Sequence, residues 1–334
     1  MSGKKNKRKR REKRRQRESN PEREKRCKDD QERQSDCKKQ RTMVDPAENN
    51  DDVASNCLIF QEVMQPIWDH PNVSGSSDAS QNKDEIDADT EISNTMFELA
   101  NSPLVGFRVN ATKVIDPNNA EAPSSCTIVV KQDINACNHH TGGIVWETAY
   151  LLLQYLQTKN NLGITLEVGA GCGMLGQVLA AQRLCKTVIM TEHKDVLPNL
   201  TSNWKRNTAR LSSLHSSPVH ICELDWEECE QDVQLSKDIL KPHSCDTIVG
   251  TDVVFSPKLV EPLWKTLQLM SHPKTNIYLC LQERCAASHK LLLEKASVYG
   301  FDMEDISTQF DKIPSCRWGS SLECKLFHIT RKQM

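Results

Sequence analysis

From Leu104 onward, short apolar runs alternate with stretches whose apolar residues recur at helical spacing. Phe107–Ile115 and Thr127–Gln132 read as β-strands, with Asp116-Pro-Asn-Asn marking the turn between them. Val145–Thr158 places Ala149, Leu152, Leu153 and Leu156 on one helical face. Ile164–Val168 is a short buried strand, followed by a glycine-rich turn and a helix over about Leu175–Arg183. The same pattern predicts strands at Thr187–Thr191, Val219–Leu224, Thr247–Gly250 and Ile277–Gln282. Helices are expected at Pro198–Leu211, Leu259–Met270 and Ala287–Tyr299, and Phe301–Ser307 with Leu322–Thr330 closes the sheet as an antiparallel pair. Strands separated by helices imply a parallel sheet covered on both faces. The expected fold class is α/β: a Rossmann-like mixed sheet of about seven strands with helices on both faces.

The first hundred residues break this pattern. The chain has 334 residues and a formal net charge of −2, but that near-neutrality hides two opposite segments. Residues 1–41 hold 19 Lys and Arg against 8 Asp and Glu, whereas residues 42–100 hold 13 acidic residues and Lys83 alone. Neither holds enough apolar residues to offset the entropy of ordering it, so a long disordered N-terminal region is expected. The expected divisions are a basic tail (1–41), an acidic low-complexity linker (42–100) and one domain over 101–334. The block Lys4–Arg17 is either a solvated tail, a nuclear localisation signal read by importin, or a nucleic-acid contact. One apolar island, Cys57–Trp68, interrupts the acidic segment; it is either a partner-binding segment or a piece of chain that docks on its own domain.

No run of about 18 apolar residues exists, and the basic N-terminus has no apolar stretch behind it, so neither a membrane span nor a secretory signal is expected. None of the 14 cysteines forms a C-x-x-C pair. They read as reduced, mostly buried thiols of a cytoplasmic or nuclear monomer. His139 and His140 lack partners at metal-ligand spacing, so no metal site is expected.

The candidate chemistry sits at the ends of the strands. In Thr165-Leu-Glu-Val-Gly-Ala-Gly-Cys-Gly-Met-Leu-Gly176, the residues Gly169, Gly171 and Gly173 let the backbone turn tightly against a nucleoside. The helix that follows aims its free N–H groups and positive end at the ligand. Glu167 can face the ligand's amino-acid end. Glu192 ends the next strand, where an acid accepts both ribose hydroxyls. Asp225, beside Trp226, either accepts from an adenine amino group or caps a helix. Asp252 ends the fourth strand, where a carboxylate beside a sulfonium and an incoming amine supplies orientation and a favourable field. Phe255 walls the amine's approach. Trp146, delivered by Gly142-Gly143, is either core or a cofactor contact. Gly176 keeps a dinucleotide-binding reading open.

Gly142-Gly143-Ile-Val-Trp146-Glu147, Leu166–Gly173, Leu224-Asp225-Trp226 and Asp252-Val-Val-Phe255 together resemble the seven-β-strand protein methyltransferases of methyltransferase family 16, in particular the methyltransferase-like 21 group. Glu261-Pro-Leu-Trp-Lys-Thr-Leu267 and Gln282-Glu-Arg284 are similar to the same branch. The resemblance covers about residues 105–330. It implies S-adenosylmethionine as cofactor, a protein lysine as acceptor (on a chaperone or an AAA ATPase), and cofactor contacts from Trp146, Glu167, Gly169, Glu192 and Trp226. It also implies that Asp252 is the acid of the D-x-x-[YF] motif beside the target lysine. Three positions depart from the pattern: Phe255 stands where Tyr is commoner, Glu192 where Asp is common, and Cys172 where Thr is frequent. The competing expectations are a methyltransferase of RNA or small molecules, a non-catalytic interaction protein with the same fold, and a nicotinamide-dependent oxidoreductase.

Overall fold

The computed structural model describes residues 57–69, 88–110, 125–134 and 141–332. Residues 57–69 and 88–100, inside the segment expected to be a disordered linker, form a strand and two helices, so the expectation of disorder does not hold for them. Strand β1 (Leu58–Ile59) leads directly into helix α1 (Phe60–Asp69), and helix α2 (Ala88–Asn101) follows. Phe60, Met64 and Ile67 of α1 and Ile92, Met96 and Leu99 of α2 repeat at i, i+4, i+7, and all six are buried. The Phe60 ring stacks on Tyr150, centroids 4.1 Å apart, and packs against Phe107, Trp68 and Trp318. The segment is acidic on average because its other faces are, while one stripe of each helix is core. The tail 1–41 lies outside the described residues, as do His139 and His140.

Strands β2 (Leu104–Asn110) and β3 (Ser125–Lys131) pair antiparallel, and β1 adds to β2 in parallel. This small sheet lies apart from the main one. Helix α3 (Glu147–Leu156) then leads to β4 (Ile164–Val168), α4 (Met174–Ala181), β5 (Thr187–Glu192), α5 (Leu197–Ser213) and β6 (Val219–Glu223). The chain continues through α6 (Cys229–Leu235), β7 (Cys245–Thr251), α7 (Pro257–Met270), β8 (Ser271–Leu281) and α8 (Ala286–Ala296). Strand β9 (Phe301–Asp305), the short helix α9 (Trp318–Ser321) and β10 (Lys325–Arg331) complete it.

The main sheet has seven strands in the order β6-β5-β4-β7-β8-β10-β9. The first five run parallel, and β10 runs antiparallel between β8 and β9. Alternation along each strand divides the core. Val188 and Met190 join α3, α4 and α5 on one face, whereas Leu166, Val168 and Ile189 join α6, α7 and α8 on the other. The chain builds outward from β4 through β5 to β6, then returns to the other side of β4 as β7. That reversal opens a crevice beyond the carboxyl ends of β4 and β7, where open α/β sheets bind ligands.

Two asparagines, one turn apart on α5, join the small sheet to the main body. Asn203 and Asn207 are both fully buried. Asn207 accepts from Val129 N–H at 3.1 Å and donates to its carbonyl at 2.8 Å, and Asn203 pairs with Lys131 at 2.7 and 2.9 Å. The two amides thus stand in for a strand along the free edge of β3. Asn203 also donates to the Cys172 carbonyl at 3.1 Å, which ties this joint to the glycine turn. Replacing Asn207 by Leu leaves both Val129 backbone groups buried and unpaired. The expected loss is about 3 kcal/mol, read as a lower midpoint in urea denaturation; an unchanged midpoint would refute this role.

Candidate active site

The turn after β4 is shaped by backbone sterics. Gly169, Gly171 and Gly173 take φ of +66°, +54° and +78°, a region that disfavours residues with a Cβ. They do different work. A Cβ on Gly169 would approach the Trp226 ring to 3.4 Å, and one on Gly171 would come within 3.3 Å of the Gly142 carbonyl. Both line the crevice. Gly173 does not: it is the N-cap residue of α4, and a Cβ there would collide with Leu200 of α5. Gly173, expected beside the ligand with the other two, thus has its Cα turned toward the helix layer.

The crevice is a cavity of about 490 Å³. Trp146, Glu167, Gly169, Gly171, Glu192, Asp225, Trp226, Asp252 and Phe255 all line it, so the structure brings together every sequence-predicted site residue except Gly173. Parallel strands explain the convergence. Glu167 and Thr251-Asp252 leave the same edge of the sheet on adjacent strands, and Glu192 ends β5 on the other side of β4.

Glu167 is buried against the start of α4, and its Oε2 has no hydrogen-bond partner in the protein. Burial pushes its carboxyl up to about 8; the nearby Gly176 amide opposes this and the Glu192 charge adds to it. Glu192 accepts from the Gly171 N–H at 2.7 Å through Oε2 and from the His193 N–H at 2.8 Å through Oε1. Burial raises its carboxyl too, with those two amides pulling the other way. Each oxygen keeps a further lone pair for an external donor. Asp225 realises the capping alternative: it accepts from the Glu227 N–H at 2.9 Å while still facing the cavity. Trp146 precedes α3 and donates through Nε1 to the Thr141 carbonyl at 3.0 Å, so its ring is fixed at the cavity wall.

Asp252 carries the most unusual backbone in the site. Its φ is +50°, the left-handed region, just past the end of β7, and its side chain is only 4% exposed. Such a conformation costs about 1–3 kcal/mol and persists only where neighbours enforce it. Here its N–H donates to the Cys280 carbonyl at 3.0 Å, and Oδ1 accepts from the Gln282 N–H at 2.7 Å. Oδ2 accepts from Arg284 at 2.8 and 3.3 Å. The same guanidinium reaches Glu147 at 2.7 Å. Arg284 and Glu147 had no role assigned from sequence. Both lay inside segments already singled out, but Arg284 lies 137 positions from Glu147 and their pairing exists only in the fold.

Residues 125–297 match the family described as lysine methyltransferase. The chain belongs to this family. Its methyl donor is S-adenosylmethionine. This lysine methyltransferase family member is 26% identical over 194 residues to EEF1A lysine methyltransferase 3 of Xenopus tropicalis, covering 57% of this chain and 75% of that protein. It is 28% identical over 154 residues to protein N-lysine methyltransferase METTL21A of Danio rerio, covering 45% and 65%. It is also 30% identical over 154 residues to histone-arginine methyltransferase METTL23 of Xenopus laevis, covering 45% and 61%. The cavity fits the donor. A ligand with an ammonium and a sulfonium suits a site walled by Glu167, Glu192 and Asp252, one of which presents a buried, unpartnered oxygen.

Proposed function

We propose that this methyltransferase acts on the ε-amine of a lysine carried by a protein substrate. The observation that carries the reading is the Asp252 carboxylate, buried just past the end of β7 and lining the cavity together with Glu167 and Glu192. S-adenosylmethionine supplies a methyl group on a sulfonium, an electrophile that needs no activation by metal or acid. The protein's contribution is alignment and field. Glu167 receives the donor's ammonium, Glu192 its ribose hydroxyls, and Asp225 its adenine. Trp146, Gly169, Gly171 and Trp226 complete the walls. Asp252 orients the acceptor amine, which must be neutral to react, and Phe255, 37% exposed, forms one side of its approach.

The test is incubation of the purified chain with tritium-labelled donor and a eukaryotic lysate, followed by identification of the labelled protein and residue. EEF1A-type, chaperone and AAA ATPase acceptors are the first to examine. Label on lysine supports the reading; label on arginine, RNA or a small molecule overturns it. The basic block Lys4–Arg17 supports a cytoplasmic or nuclear location and contact with importin or nucleic acid. Deleting it and imaging the tagged chain checks that.

Glu167 also makes donor binding pH-dependent. With no cation beside it, its carboxyl titrates at about 8. An arriving ammonium favours the ionised form, so below that pH binding must expel a proton. Affinity should rise from about pH 6 to 8 and level off above. Calorimetry in buffers of different ionisation enthalpy reads the released proton, and Glu167→Gln removes it; a buffer-independent enthalpy for the parent chain would count against this placement.

A further inference from the structure

We propose that Arg284 is a positioning residue for methyl transfer, aiming the Asp252 carboxylate into the cavity on one side and steadying the Trp146 ring on the other. The inference rests on the reading of Asp252 as the group that orients the acceptor lysine.

Arg284 lies in the turn between β8 and α8, behind the cavity wall rather than on it. Its Nε and Nη2 both reach Asp252 Oδ2, and Nη2 also reaches Glu147 Oε1. The guanidinium carbon stands 4.6 Å from the centroid of the Trp146 ring. One planar cation thus touches the carboxylate at the acceptor end and the aromatic wall at the cofactor end. Gln282, two residues earlier in the same turn, takes the other Asp252 oxygen through its N–H. The turn therefore clamps both carboxylate oxygens from behind, and the strained φ at Asp252 is held by groups that all belong to β8 and its exit.

Electrostatics points the same way. The charged and titratable groups facing Asp252 are Arg284, Glu147 and the buried thiols Cys280 and Cys324. Arg284 alone among them favours the ionised carboxylate, against burial, which raises it. Without the guanidinium, two acids would face each other in a buried site, and both burial and the Glu147 charge would favour the protonated form of Asp252. A lysine at 284 restores the charge but is a point cation, unable to bridge both acids and stand over the Trp146 ring at once.

The experiment compares the full chain with Arg284→Gln and Arg284→Lys. Methylation of the acceptor protein identified by labelling is followed across pH, alongside donor affinity by calorimetry and the thermal midpoint. Arg284→Gln should lower kcat/KM about 100-fold at neutral pH. The deficit relative to the parent chain should narrow about tenfold per pH unit as Asp252 ionises again, a ratio from which the acceptor's own titration cancels. Arg284→Lys should keep the parent pH profile while weakening donor binding about 3–10-fold. A purely structural Arg284 would lower the thermal midpoint and scale activity equally at every pH. A pH-independent deficit, or Arg284→Gln within threefold of the parent, overturns the proposal. If the parent chain labels no lysine, the acceptor reading fails separately. Donor affinity then decides: a loss in both variants supports the link to Trp146, and affinity within twofold in both ends it.

Discussion

Replacing Asp252 by Asn should lower methyl transfer by about 10²–10³-fold, with donor affinity unchanged within about threefold. The substitution keeps the shape of the side chain and one acceptor oxygen but removes the charge. Asp252 is 8% exposed and receives Gln282 N–H on one oxygen and Arg284 on the other. An Asn amide nitrogen would face one of those donors, and Arg284 would retain only Glu147 as an anion. The acceptor amine would then meet a site with no net negative pull where it must be held in line. Donor binding should survive because the donor's ammonium and ribose are assigned to Glu167 on β4 and Glu192 on β5, whose side chains and charges the substitution leaves in place. Glu is the informative companion: Asp252→Glu keeps the charge but moves it by a methylene, and effective molarity arguments place its activity between the two. Single-turnover kinetics with labelled donor, together with calorimetric affinity, check both halves. Activity of Asp252→Asn within threefold of the parent would end the assignment.

Replacing Phe60 by Ala should cost about 3–5 kcal/mol, although the residue lies in a stretch whose composition resembles a solvated linker. Phe60 is fully buried, and its ring is parallel to Tyr150 within 3°. Tyr150 belongs to α3, the helix that begins immediately after Trp146, so loss of the stack loosens the support of the cavity wall. A chain starting at residue 101 should fare worse. It would lose all six buried side chains of α1 and α2, together with β1 and the Gln61 amide that pairs with the Arg108 backbone at 2.8 and 2.9 Å. Summed core losses of that size exceed the usual stability of a domain, about 5–15 kcal/mol. Denaturant titration of Phe60→Ala and a soluble-expression assay of the 101–334 fragment read these outcomes. A fragment with parent-like cooperativity would show that the N-terminal helices are dispensable.

Most of the main sheet was legible in the chain. Strand and helix periods differ, and strands flanked by helices must be parallel and covered on both faces. Glu167, Glu192, Asp225 and Asp252 could be named for the same reason: parallel strands deliver their carboxyl ends to one edge, so acids at those ends lie on the same side of the sheet. Local patterns carry this information because they report the period of the backbone and the face each side chain takes.

The remainder depended on partners distant in the chain. The island at Cys57–Trp68 could not be assigned to a partner or to its own domain, since an amphipathic stripe says that a surface is covered and not by what. The three glycines of one turn look alike along the chain; only Leu200, packed behind Gly173, marks that one as the start of a helix. Asn203 and Asn207 looked like ordinary polar positions on α5 until the open edge of β3 came to lie beside them. Arg284 had no visible work until β8 placed it between Asp252 and Glu147, residues 32 and 137 positions away. Hydrogen bonds and ion pairs between such segments leave no periodic trace along the chain, because their geometry exists only once loop closure has brought the segments together.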